Sequence, residues 1–402
     1  MSSASPLRIG YVPEHFSTPL YFAQKHFGLS ATLIPFPSGT GHMISSLKAR
    51  EIDIGIGLTE GWIAALGKQG SKEAGFKLVG TYVESPLCWA INTGANRADL
   101  TSVSQLRGSK VGVSRLGSGS HIMSTVLADT QGWLNAPPSA GTGAGAGAGA
   151  VTEAPAPAPA AALTPIPFQT FANLRSAVNK KTTASQTPKD APSSTFRGEE
   201  AAAEADFFMW EYFTSRRYYY PTTTTTNTGN APPPPASDTP TTTTSTTTPM
   251  IKKIGEIYTP WPSWQIVAST ALLADNTSNP SNPTTQSTTT SSTSTSPSVR
   301  AVNDPRILPF LTSLNSGINH FNAHPDEAVE YISTALDYSA QDARDWLDAG
   351  VTFANDVTKR APTQLVRDVV GVLTKAGVLD AVVGVEAEVD VDVDVDDMIA
   401  VL

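Results

Sequence analysis

Four short segments concentrate the residue types that hold small polar molecules. Ser114-Arg-Leu-Gly-Ser-Gly-Ser120 combines the hydroxyls of Ser118 and Ser120, the glycines Gly117 and Gly119, and the Arg115 guanidinium. Where such a run ends a strand and opens a helix, backbone N–H groups point outward and a cation adds charge-assisted bonds, a combination suited to an anion or another polar group. Ser38, Gly39, Thr40 and Gly41 carry the same logic, although ordinary helix capping uses the same residues. Glu14, His15, Phe16, Ser17 and Thr18 offer an acceptor, an aromatic wall and hydroxyls, and Thr59 and Glu60 form a further pair. Glu60 is equally suited to the first turn of a helix, where the macrodipole favours an acid. Trp210 presents a ring able to stack on a planar ligand, as do Trp261 and Trp264, with core packing the ordinary alternative for each; Glu211 is either an acceptor for ligand or a structural carboxylate.

Other chemistries find less support. His15, His42 and His121 fall on the same turns, but no pair has compact ligand spacing, so no metal is expected. Cys88 is the single cysteine, which excludes an intramolecular disulfide and a cysteine-cluster metal site and suits a reducing compartment. Neither Ser114–Ser120 nor the Gly/Ala alternation from Gly141, where Ala146 takes the third glycine position, makes a dinucleotide loop. No catalytic residue and no cofactor are expected.

These turns need elements to position them, and the first ninety residues supply an alternation of strand and helix. Strands are predicted at Leu7–Val12, Ala31–Phe36, Ile52–Leu58 and Lys77–Val83, and helices at Pro19–Phe27, Gly41–Arg50 and Gly61–Leu66. In an open α/β sheet, ligands bind beyond the carboxyl ends of the strands, so the turns at 13–18, 37–41 and 59–61 should converge. The same grammar resumes with a strand at Lys110–Ser114 and a helix at Ile122–Leu127, then a strand and helix within Ile166–Val178 and an ordered segment at Ala205–Phe213. Ile251–Ser269 is compact and aromatic, and from Asp304 to about Val383 the apolar spacing is helical, with Pro325-Asp-Glu327 opening one helix.

Low-complexity stretches separate these elements. Ala, Gly and Pro dominate about 137–162, and Thr, Ser and Pro dominate 221–249 and about 276–300; each buries too little apolar surface to offset the entropy of ordering, so disordered inserts are expected. The formal charge of −9 also has a local origin. Seven acids lie between Glu386 and Asp397, leaving 29 acids against 27 bases elsewhere, so the body is near −2 and offers no basic surface for nucleic acid. Within the acidic tail, 385–402, the Val/Asp alternation from Val389 to Asp396 is expected to stay solvated and disordered. No run of about 18 apolar residues predicts a membrane span. The opening lacks the basic and apolar regions of a secretory leader, so a cytoplasmic location is expected.

Arg8-Ile-Gly-Tyr-Val-Pro13, Ser38-Gly-Thr-Gly41, Glu51-Ile-Asp-Ile-Gly-Ile-Gly57 and Gly108–Ser120, with Asp206–Phe213 and Tyr258–Trp264, resemble the solute-binding components of nitrate, sulfonate and taurine transporters. The resemblance is nearest to the fungal intracellular branch called Ca3427-like, a relative of the thiamine-pyrimidine synthase family. It spans about 1–135, 163–178, 205–220, 250–275 and 304–383. It implies an α/β fold of the two-lobed periplasmic-binding-protein type II kind, interrupted by disordered low-complexity inserts. The expected organisation is lobe 1 at 1–90, lobe 2 at 91–260 and a return to lobe 1 at 261–384, before the acidic tail; the first crossing is expected near Ser85–Thr93. The resemblance also implies intracellular binding of a small polar metabolite, anionic or heterocyclic, in an interlobe cleft without catalysis. Two rivals stay open. One is an enzyme like thiamine-pyrimidine synthase, for which Lys48 is the candidate cofactor lysine and the family's cysteine cluster is missing; the other is an interaction module of unknown protein partner.

Overall fold

The computed structural model describes residues 5–134, 163–179, 204–220, 223–227, 242–246, 250–273, 304–380 and 394–402. In chain order its strands are β1 Leu7–Tyr11, β2 Ala31–Pro35, β3 Ile54–Leu58, β4 Phe76–Val83, β5 Cys88–Gly94, β6 Lys110–Val113, β7 Thr164–Pro167, β8 Phe207–Glu211, β9 Thr223–Asn227, β10 Thr242–Thr246, β11 Ile251–Tyr258 and β12 Trp264–Ser269. Its helices are α1 Thr18–His26, α2 Thr40–Lys48, α3 Thr59–Ala74, α4 Gly119–Thr130, α5 Phe171–Ala177, α6 Tyr212–Arg216, α7 Ile307–Ala323, α8 Pro325–Ala335, α9 Ala340–Asp348 and α10 Thr363–Lys375. The strands and helices read from the first ninety residues are all present, within a few residues at their ends except for α3, which runs on to Ala74. None of the described helices is long and apolar enough to cross a membrane.

The chain divides into two compact units, Met1–Pro86 with Trp261–Leu402, and Leu87–Pro260. The first unit holds a five-stranded sheet in the order β2-β1-β3-β12-β4. β1 pairs in parallel with β2 and β3, whereas β12 lies antiparallel between β3 and β4. β3 reads Ile-Gly-Ile-Gly-Leu and is buried along nearly its whole length, as a central strand covered on both faces must be. Its glycines are a packing requirement: a Cβ on Gly57 would stand 2.7 Å from Thr40 Oγ1 and 3.0 Å from Trp62. α7 turns Ile307, Phe310, Leu311, Leu314, Ile318 and Phe321 inward, each at most 2% exposed. α8 begins with Pro325 and carries Asp326 and Glu327 in its first turn, the arrangement expected from the helix dipole.

The second unit holds a sheet in the order β11-β5-β8-β6-β7. β6 runs parallel to β7 and β8, and β5 is antiparallel to β8 and β11. Cys88–Gly94, which overlaps the region near Ser85–Thr93 where the first crossing was expected, forms β5. Its polar residues Asn92 and Thr93 are buried with partners: Asn92 Oδ1 accepts from the Tyr219 hydroxyl, and the Thr93 hydroxyl donates to the Asp206 carbonyl at 2.8 Å.

Within the Thr-rich stretch 221–249, β9 and β10 pair antiparallel. Beyond the Val/Asp alternation, residues 398–400 dock beside β4. The Leu78 amide donates to the Met398 carbonyl at 2.8 Å and the Ala400 amide to the Leu78 carbonyl at 2.7 Å, adding a short parallel bridge beside β4. Met398, Ile399 and Ala400 are almost completely buried, and Asp397 accepts from Lys77 at 2.9 Å. The apolar triplet supplies burial that the preceding Val/Asp alternation lacks; residues 381–393 lie outside the described ones. Ile399→Asp is expected to unhook this bridge and speed hydrogen exchange at the Leu78 amide by about tenfold or more. Unchanged Leu78 exchange in this variant would contradict the docking.

Candidate functional site

In the first unit, β1, β2 and β3 deliver their carboxyl ends to the turns that open the short 3-10 helix His15–Ser17 and helices α1, α2 and α3. The β2–α2 turn is tied to β1 by Phe36 N–H donating to the Tyr11 carbonyl at 2.8 Å. Thr40 Oγ1 accepts from the Leu58 amide at 2.9 Å, which fastens the start of α2 to the β3–α3 turn. The Thr59 amide donates to the Ser263 carbonyl at 3.0 Å, and the Thr59 hydroxyl donates to the Pro262 carbonyl. The Trp261–Ser263 segment is thereby held against the head of α3.

Glu60 is the chemically loaded residue here. It is fully buried, and its Oε2 accepts from Trp261 Nε1 at 3.3 Å, whereas Oε1 has no hydrogen-bond partner among the described residues. Burial pushes its carboxyl up to about 7, although its own backbone amide and the Trp261 indole favour the charged form. A carboxyl poised there can accept from a ligand N–H when ionised or donate to an acid group when protonated.

The other predicted residues of this unit divide by role. Ser17 Oγ donates to the Glu14 carbonyl and Thr18 Oγ1 to the His15 carbonyl, both at 2.7 Å, so these hydroxyls secure the turn. Glu14 is half-buried, Ser38 exposed, and Gly39 and Gly41 half-buried. Phe16 packs against Trp264, with centroids 5.2 Å apart. His15 is fully buried, edge-on to Trp346 at 4.3 Å and to Tyr338 at 4.7 Å, and desolvation lowers its pKa to about 3. It is therefore neutral at ordinary pH. Tyr338 and Trp346 escaped the sequence reading because more than 300 residues separate them from His15. Lys48 is exposed at the far end of α2 from Thr40, about 12 Å along the helix, and pairs with Glu73 at 2.9 Å.

In the second unit the Ser114–Ser120 loop satisfies much of its own polarity. The Ser114 amide donates to Ser120 Oγ at 3.0 Å, the Gly117 amide to His121 Nδ1 at 3.0 Å, and the Ser118 hydroxyl to the Arg115 carbonyl at 2.7 Å. Gly117 has φ 78°, a conformation that favours glycine. Arg115 is exposed, Gly119 half-buried at the start of α4, and Ser118 and Ser120 buried. Trp210 stacks on Phe171 at 5.0 Å as part of an aromatic cluster. Glu211 caps α6, its carboxylate accepting from the Phe213 amide at 3.0 Å and the Thr214 amide at 2.6 Å, and burial raises its carboxyl to about 7.

Two α/β units, the first built from distant chain segments around a contiguous second, define a protein of the periplasmic-binding-protein fold. The alkanesulfonate-binding protein SsuA from Xanthomonas axonopodis pv. citri, solved bound to MOPS, shares that fold at 13% identity, with TM-score 0.54 and coverage of 94% of this chain and 96% of its own. The periplasmic aliphatic sulphonate binding protein SsuA from Escherichia coli does so at 13% identity and TM-score 0.53, with coverage of 94% and 89%. The family model for Ca3427-like periplasmic binding proteins matches residues 89–224. The Candida albicans CA3427 gene product, described as defining a new family with the generic periplasmic binding protein fold, is 32% identical over 96% of this chain and 93% of its own, with TM-score 0.64. The chain belongs to this Ca3427-like family. No curated protein matches it.

Proposed function

We propose that the chain binds a small polar metabolite, anionic or heterocyclic, without altering it chemically, and that it does so inside the cell. The periplasmic-binding-protein fold supports a role in binding small molecules. The observation that carries the reading is Glu60, a fully buried carboxyl with one unpartnered oxygen at the head of α3, beside the carboxyl ends of three parallel strands. A ligand donor would satisfy that oxygen. The intracellular setting is supported by the single cysteine, Cys88, a usage that suits a reducing compartment.

A thermal-shift and calorimetric screen of the full chain against pyrimidines and sulfonates tests the reading. At least one compound is expected to raise the melting temperature, and Glu60→Gln should weaken its binding by about ten- to hundredfold, since a hydrogen bond to a charged group is involved. Repeating the titration in buffers of different ionisation enthalpy identifies the ligand chemistry. An N–H donor favours the carboxylate and releases a proton, whereas an acid group favours the protonated carboxyl and takes one up. A ligand whose affinity is unchanged in Glu60→Gln would remove Glu60 from the site.

A further inference from the structure

Away from the strand ends, three helices of the first unit bring their chemistry to one point. His26 is the last residue of α1, His320 lies in the last turn of α7, and Glu327 sits in the first turn of α8. His26 Nε2 lies 2.8 Å from Glu327 Oε1 and His320 Nε2 lies 2.7 Å from Oε2, so both imidazoles aim the same ring atom at one carboxylate. The three ligand atoms all fall within 4.8 Å of one another. Lys25 Nζ shares Oε1 at 2.8 Å, and this cation, with the two imidazoles, holds the Glu327 carboxyl down to about 2.

The surroundings hold the rings in place. His320 packs edge-on against Phe22 at 5.1 Å and face-on against His324 at 3.9 Å, and it is inclined to His26 at 4.3 Å. His324 Nδ1 lies 3.0 Å from the His320 carbonyl, an acceptor that requires the proton on Nδ1. A carboxylate needs only one cation to balance its charge, and Lys25 provides it. Two further imidazole nitrogens converging on the same oxygens form the donor set that binds zinc with an open position for water.

We propose that His26, His320 and Glu327 form a site for a first-row divalent cation, zinc by preference, on the surface of the first unit. On binding, each imidazole presents the lone pair of Nε2 and keeps its proton on Nδ1. Glu327 coordinates through one oxygen. The Lys25 ammonium, half-exposed on a flexible stem, leaves Oε1 for solvent. The atoms now separated by hydrogen-bond distances then spread to accept metal–ligand bonds of about 2.0–2.2 Å.

Untagged full-length chain titrated with Zn2+ against a chromophoric chelator tests this site. One equivalent is expected to bind with micromolar or tighter affinity, and Co2+ should give the visible absorption of a tetrahedral N/O centre. His320→Ala, His26→Ala and Glu327→Gln should each weaken Zn2+ binding by at least about tenfold. Lys25→Met should tighten it severalfold by removing the competing cation, a gain that misfolding would not produce. His42→Ala, remote in sequence and on α2, should leave the affinity unchanged. Absence of stoichiometric uptake, or affinity indifferent to His320→Ala and Glu327→Gln, would leave an ion-pair cluster joining three helices and overturn the metal site.

Discussion

Gly317→Ala is expected to destabilise the first unit by about 3 kcal/mol or more, among the largest losses for the addition of one methyl group. A Cβ at this position would stand 2.2 Å from the Pro19 carbonyl oxygen, 2.8 Å from the Ala23 amide nitrogen and 3.0 Å from Ala23 Cβ. Two of these three atoms are backbone, so no rotamer change relieves the clash and α7 must move off α1. The buried row from Ile307 to Phe321 moves with it. Gly371→Ala provides the matched control. Gly371 lies within α10, with nothing within 4 Å of its would-be Cβ, and alanine there should stabilise by roughly 0.5–1 kcal/mol through helix propensity. Chemical denaturation of the two variants should show opposite signs; two small effects of the same sign would mean that α1 and α7 are not in close contact.

The second large effect is acid sensitivity set by His15. The buried imidazole has a pKa of about 3 in the folded chain, against 6.5 when free. The unfolded chain therefore binds the proton more tightly, and stability is full above pH 6.5 and falls as pH drops towards 3, by about 5 kcal/mol in all. Glu60 acts in the opposite sense. Its folded pKa of about 7 against 4.5 gives stability that is complete below pH 4.5 and lost as pH rises to 7, by about 3 kcal/mol. Between pH 4.5 and 6.5 the two slopes cancel, giving the unliganded unit a plateau. Glu60→Gln should expose the His15 slope between pH 4.5 and 6.5, and His15→Phe in that background should flatten it there. Measuring the unfolding free energy of the first unit from pH 4.5 to 6.5 in both variants decides the matter: a slope that persists in this window without the imidazole would place the acid-sensitive group elsewhere.

The elements that present the candidate site were legible because their signals are local. Ile54-Gly-Ile-Gly-Leu58 followed by Thr-Glu reads as a buried strand entering a helix, and the same reading placed Thr40 in the turn leading into α2, one residue from where the helix begins. Local signals could not show what surrounds those turns. The rings enclosing His15 come from Tyr338 and Trp346, and the indole on Glu60 comes from Trp261. Hydroxyls that read as ligand donors at Ser17 and Thr18 are turned onto their own turn, a choice that depends on backbone geometry more than on residue type. At the other end of the chain, charge alternation concealed the apolar triplet Met398-Ile-Ala400. Its burial beside β4 became visible only with that strand's free edge in place.

The position of β12 has a consequence for biosynthesis. This strand lies between β3 and β4, yet the ribosome makes it only after every strand of the second unit has been polymerised. Domains tend to fold as they emerge, so the later-encoded inner unit should reach its native state before the unit that contains the amino terminus. A nascent chain halted at Pro260 would carry one finished unit and four outer strands still waiting for the strand that joins β3 to β4.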